Sequence, residues 1–142
     1  MAFWTPLDRC TWFAQTILNT TRNLETLHVR TETIGLSHDE LDSLRIAAGE
    51  PRAVHKAPFH IATGLAAAES LLSACFAGWL DFVAIAKPNE VGIAADHDEL
   101  CRVYARRSGQ LADISTACAE AGVNAADTDL DVGRDLDRHL RE

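Results

Sequence analysis

The sequence predicts an all-α protein: one domain over residues 1–142, folded as an antiparallel bundle of four to five helices. Apolar residues recur at intervals of three and four over long segments, which is the helical period. These segments begin with residues that cap helices and end at glycine or proline. No segment shows a convincing alternation of apolar and polar residues, the pattern typical of strands. Short connections between the helices favour antiparallel neighbours.

The first helix is expected over residues 5 to 30. Thr5 is a capping residue, and Pro6 stands at the first helical position, where its missing N–H costs nothing. A second, short helix is expected over residues 37–48 and ends at Gly49. The apolar stripe of the first helix consists of Leu7, Cys10, Ala14, Ile17, Leu24 and Leu27.

The third predicted helix, residues 58–86, is the most apolar segment of the chain. Its polar side includes Glu69 in the middle of the segment, which would be costly in lipid, so a buried central helix is expected and not a membrane span. A fourth helix is expected over residues 96–122, with a kink at residues 108–110, and a fifth over 128–140. The apolar side of the third helix carries Ile61, Leu65, Leu72, Phe76, Trp79 and Val83.

Composition limits the partners. The net charge of −8 repels phosphate backbones, so nucleic acid is an unlikely partner, and a basic protein or a cationic ligand is favoured. Arginine supplies eleven of the thirteen basic residues, a usage typical of GC-rich bacterial genomes. The four cysteines are widely spaced, which predicts free thiols in a reducing cytoplasm. The opening sequence MAFWTPLDRC lacks the order of a signal peptide, so no export is expected.

The letters H-D-E-L occur twice, in "SHDEL" and in "DHDEL". Each copy fits a capping box, in which Ser37 pairs with Glu40, and Asp96 pairs with Glu99. In an up-and-down bundle both copies lie at the same end, so they also offer nitrogen and oxygen ligands to a divalent metal. Capping is the preferred interpretation, and no cofactor is predicted. The alternative metal site would consist of His38, His97, Glu40 and Glu99.

The sequence "RDLDRH", residues 134–139, resembles the R-x4-6-H motif of HEPN-domain ribonucleases, including the polar Asp135 after the arginine. The resemblance implies an all-helical fold and a composite site between two protomers. His139 would be the acid–base group, and Arg134 would hold the scissile phosphate. The neighbouring aspartates repel RNA, so this ribonuclease is an alternative function. Those aspartates are Asp127, Asp129, Asp131, Asp135 and Asp137.

One face of the third predicted helix carries only small residues, including Ala66 and Ala74. Such a face either packs closely against another helix or leaves a pocket between helices. Close packing is the default interpretation. A pocket in the bundle core would bind a small apolar or cationic ligand, with Glu69 holding the polar group. Its lining would be Glu69, Ser70, Ser73, Phe76, Trp79, Tyr104 and Trp12.

These observations favour a small cytoplasmic binding protein over an enzyme. The partner is expected to be either a small molecule in the bundle core or a basic protein held by the acidic surface, as immunity proteins and antitoxins hold basic toxins. The alternatives are the HEPN-like ribonuclease and a metal-dependent helical bundle. An exposed apolar stripe on the short second or last helix would add a homodimer.

Overall fold

The protein is an antiparallel six-stranded sheet covered on one face by helices, so the predicted all-α bundle is wrong. The computed structural model describes residues 1–31, 44, 46–49, 59–78, 80–88, 91–97 and 100–126. The strand order is β1-β6-β5-β4-β2-β3, and every neighbouring pair is antiparallel. The strands are β1 (Ala2–Trp4), β2 (Thr26–Thr31), β3 (Phe59–Thr63), β4 (Phe82–Lys87), β5 (Val91–Ala95) and β6 (Leu100–Ala105).

Three α-helices complete the described elements: α1 (Cys10–Leu18), α2 (Leu65–Ala77) and α3 (Ser108–Glu120). A 3-10 turn, Leu7–Arg9, precedes α1. Among the described residues, no helix is long and apolar enough to cross a membrane. Of the helix predicted over residues 5–30, only the part from Cys10 to Leu18 is an α-helix.

The end of the first predicted helix is a strand. In β2 the residues Leu27, Val29 and Thr31 are buried, whereas His28 and Arg30 point to the opposite face. Burial at every second position is the period of a strand and not of a helix. Leu27 therefore belongs to the sheet and does not continue the stripe of α1.

The third predicted helix consists of three elements: β3, α2 and β4. Gly64 has a φ of +83° and separates β3 from α2, a backbone conformation that glycine adopts at little cost. The fourth predicted helix is likewise divided into β6 and α3, and the expected kink at residues 108–110 is the start of α3. When a short segment is apolar on both faces, its sequence does not distinguish the helical period from the strand period.

The second predicted helix lies partly outside the described residues. Leu44 and residues 46–48 are helical, and the Gly49 N–H donates to the Ile46 carbonyl at 3.1 Å. Gly49 has a φ of +71°, as expected for a glycine that ends a helix. Leu44 is buried in the core.

The core lies between the helices and one face of the sheet. Phe13 of α1 is fully buried, and its ring centroid lies 6.2 Å from that of Phe3 in β1 and 5.1 Å from that of Phe76 in α2. Phe76 in turn contacts Phe82 of β4, so aromatic contacts join both layers. All four cysteines are buried and unpaired, which confirms the prediction of free core thiols.

The register divides the strand residues between two faces. The helix face carries the buried positions, such as Val29, Ala84 and Val103. The opposite face is called the second face here, and none of the three described α-helices packs on it. Its sixteen strand positions are Ala2, Trp4, Thr26, His28, Arg30, Phe59, Ile61, Thr63, Val83, Ile85, Lys87, Gly92, Ala94, Leu100, Arg102 and Tyr104.

Candidate functional site

Glu69 and Ser73, two of the polar residues predicted to line a pocket in the bundle core, instead contact a neighbouring helix. The Ser73 hydroxyl of α2 lies 3.0 Å from the Thr11 hydroxyl of α1. One turn earlier in α2, the Glu69 carboxylate accepts a hydrogen bond from the Gln15 amide of α1 at 3.4 Å. Hydrogen bonds between small polar side chains need closely spaced helix backbones, so this face of α2 is a packing surface for α1.

The remaining predicted pocket residues lie apart. Phe76 is part of the aromatic core, and Trp12 stacks on Phe13 with the Arg9 guanidinium 5.5 Å from its ring centroid. Tyr104 lies on the second face, across the sheet from α1 and α2. Ser70 is exposed on α2. Trp79 is outside the described residues.

The described residues of the second H-D-E-L copy lie between strand β5 and the start of strand β6 and do not begin a helix. The Asp96 N–H donates to the Leu100 carbonyl at 3.1 Å, and the Asp96 carboxylate accepts the Leu100 N–H at 3.2 Å. Asp96 therefore accepts a backbone N–H from the first residue of β6, and its predicted role as the cap of a helix is wrong. His38, Glu40 and Glu99 lie outside the described residues, as do Arg134 and His139.

His97, the described member of the alternative metal set, is paired with a carboxylate. Its Nδ1 lies 3.0 Å from Asp81 Oδ1, and its backbone N–H donates to the same oxygen at 2.7 Å. The small cleft beside them has a free volume of about 10 Å³, roughly the space of one water molecule. Within the described part of the chain, no three His, Cys, Asp or Glu side chains are placed to hold a metal ion. The pair therefore joins two segments of backbone.

The thiols are poor nucleophiles. Burial raises the pKa of Cys75 to about 12 and that of Cys118 to about 11. It also raises the pKa values of Cys10 and Cys101, with smaller contributions from nearby charges. The thiolate is the reactive form, so all four side chains are inert core residues near neutral pH.

The second face of the sheet has an apolar centre. Val83 and Ile85 of the central strand β4 are half-buried there. Large apolar side chains also stand at both edges of the sheet: Trp4 on β1 is 51% exposed, and Phe59 on β3 is 54% exposed. Large exposed apolar side chains on a sheet face that no described helix covers are typical of interaction sites in proteins.

The charged residues of the second face are all cations. Arg30, Lys87 and Arg102 lie on it, and none of its sixteen strand positions is Asp or Glu. The described residues as a whole carry seven acidic residues and seven Lys or Arg, so the net charge of −8 belongs to the rest of the chain. A cationic surface thus exists within an acidic protein.

The immediate contacts of these cations differ. The Arg30 guanidinium lies 5.7 Å from the ring centroid of Phe59, a cation–π contact that leaves the charge exposed. Arg102 is mostly buried and lies 3.8 Å from the Asp96 carboxylate. Burial lowers the pKa of His28, and the positive charge of Lys87 lowers it further. The Lys87 charge therefore acts on His28 of the neighbouring strand β2.

The sequence did not single out Arg30, Lys87 or Arg102. The alternation in "TLHVRT" and "LCRVYA" would have placed Arg30 and Arg102 opposite the buried residues of their own strands, whereas the apolar run in "FVAIAK" gives no such signal for Lys87. The chain has no significant match to a family model, to a curated protein or to a solved structure.

Proposed function

We propose that the protein is a non-catalytic binding module that holds a polypeptide segment of a partner protein on the second face of its sheet. The observation that carries this proposal is the contrast between the faces. The described α-helices cover the helix face, whereas the second face has an apolar centre at Val83 and Ile85 and exposed aromatic rings at its edges.

The dimensions of the second face suit a peptide segment. Six strands at about 4.8 Å spacing place the outer strands about 24 Å apart, and strands of five or six residues are about 17–20 Å long. The face then offers on the order of 400–500 Å², below the roughly 800 Å² that each partner contributes to a standard interface. A single extended or helical segment fills such an area.

A polypeptide fits this surface better than the other classes of ligand. Small molecules bind in concave sites, whereas the second face is the surface of a sheet. Single-stranded nucleic acid stacks successive bases on aromatic rings, but Trp4 and Phe59 stand on opposite edge strands about 24 Å apart. The net charge of −8 also opposes phosphate.

Two further observations support a binding role in a reducing compartment. The four unpaired thiols are buried with raised pKa values, which favours the cytoplasm and makes these cysteines poor nucleophiles. His97 borders a cleft that holds about one water molecule, which is too small for a substrate among the residues that the structure describes there. Binding of a basic partner by the acidic residues outside the described part stays a separate prediction.

The test is selection of binders from a library of displayed random 12-residue peptides, followed by affinity measurements on variants. Phe59→Ser and Trp4→Ser each remove an exposed apolar side chain from the second face. Leu65→Ser, the matched control, removes one from the start of α2. We expect the face variants to weaken binding by about tenfold and the control to leave it unchanged. Equal affinities for all three variants would overturn the proposal.

A further inference from the structure

We infer that the partner segment is acidic, with carboxylates that meet Arg30, Lys87 and Arg102 around an apolar centre. This inference rests on the proposed function and adds the chemistry of the partner. The three cations, with no Asp or Glu among the sixteen described strand positions, repel basic segments and attract acidic ones, and Asp96 offsets part of the Arg102 charge.

The register sets the spacing of the cations. Arg30 and Arg102 lie in one row across the sheet, with Val83 and Ala94 between them. At about 4.8 Å for each strand, the two arginine backbones are about 14 Å apart. Lys87 follows Val83 by four residues along β4, again about 14 Å away. Carboxylates four residues apart in an extended segment would span the same distance.

The apolar centre makes the partner amphipathic. Val83 lies in the row between Arg30 and Arg102, and Ile85 lies between that row and Lys87. Both side chains are only half-buried before a partner binds, so apolar contact with the partner would bury more of their surface and stabilise the complex. A segment with apolar side chains towards the sheet and carboxylates at its margins therefore matches both features.

A second copy of this chain fits the face poorly. A face-to-face dimer would place two copies of Arg30, Lys87 and Arg102 in one interface with no carboxylate from the described strand positions, and like charges at an interface are costly. A homodimer, which the sequence suggested only if a short helix has an exposed apolar stripe, would therefore need another surface. The Asp96 carboxylate partly neutralises the charge of Arg102. The electrostatic attraction for a partner therefore comes mainly from Arg30 and Lys87.

The test compares three labelled 12-residue peptides with the same apolar residues and either Glu, Gln or Lys between them. On the full chain we expect the Glu peptide to bind about tenfold more tightly than the Gln peptide, and the Lys peptide to bind most weakly. Added salt should reduce these differences, since the cations are near the surface.

Charge-reversal variants show whether the second face causes this order. Arg30→Glu and Lys87→Glu should each weaken the binding of the Glu peptide and strengthen the binding of the Lys peptide. Arg107→Glu, in the turn before α3, is the matched control and should preserve the order. Either face variant behaving like the control would overturn the inference.

The outcomes separate the two proposals. Equal binding of the three peptides, with sensitivity to Phe59→Ser, would overturn the acidic partner and keep the binding module. No binding by any peptide would overturn both. Displacement of the Glu peptide by a single-stranded 12-mer of DNA at similar concentration, or a dimer that this peptide does not dissociate, would also overturn the acidic partner.

Discussion

Asp81 joins the start of β4 to the residue after Asp96: its Oδ1 accepts the His97 backbone N–H at 2.7 Å and lies 3.0 Å from His97 Nδ1. We expect Asp81→Ala to lower the free energy of unfolding by about 1 kcal/mol, because a carboxylate acceptor of a backbone N–H is lost at a partly exposed site. Chemical denaturation measures the change. Asp113→Ala, at an exposed position of α3, is the control, and an equal loss there would contradict the role of Asp81.

Two isoleucines on neighbouring strands test the assignment of the sheet faces. Ile93 of β5 is fully buried on the helix face, whereas Ile85 of β4 is half-buried on the second face. We expect Ile93→Ala to cost about 2–5 kcal/mol of stability and Ile85→Ala about 1 kcal/mol. Denaturation of the two variants measures this difference. Similar costs would contradict the register of β4 and β5.

His28 should make stability depend on pH. Burial, with a smaller effect from Lys87, lowers the pKa of His28 below its ordinary value of 6.5. The unfolded chain therefore binds the proton more readily, so this stability is present above about pH 6.5 and is lost as the pH falls towards the lowered pKa. We expect His28→Gln to flatten the pH dependence of the unfolding free energy between about pH 7 and 5.

The pKa of His28 also reports on Lys87. In an NMR titration, Lys87→Gln should raise the pKa of His28 without restoring its ordinary value, because burial is the larger cause. No change in the titration would show that the Lys87 charge does not reach this part of the second face.

The four thiols should be protected in the folded protein. Because they are buried and the pKa values of Cys75 and Cys118 are about 12 and 11, we expect almost no reaction with an aromatic disulfide reagent at pH 7.5. In denaturant all four should react. Rapid labelling of any thiol in the native protein would contradict its burial.

The sequence predicted the helices where the helical period stands alone. Cys10, Ala14 and Ile17 do form the buried stripe of α1, and the central part of residues 58–86 is helix α2. Gly49 ends a helical segment as expected. Free core cysteines were also predicted correctly, because the absence of close spacing is visible in the sequence.

The strands were missed because they directly adjoin these helices. In "FHIAT" and "FVAIAK" the apolar residues of the second face, such as Ile61 and Ile85, interrupt the alternation, and the same letters also satisfy a helical wheel. Asp96 shows the same ambiguity at a turn, since its side chain can cap either a helix or a hairpin. The second face depends on the pairing of six strands, which no local pattern contains.

The most direct test of the binding surface is a map of backbone amide NMR shifts on titration with the Glu peptide. We expect the largest shifts on β2, β4 and β6, at residues including Arg30, Val83 and Arg102. Shifts concentrated instead on α1 and α2, around Trp12, Glu69 and Ser73, would contradict binding on the second face. They would place the ligand among the residues of the pocket predicted from the sequence.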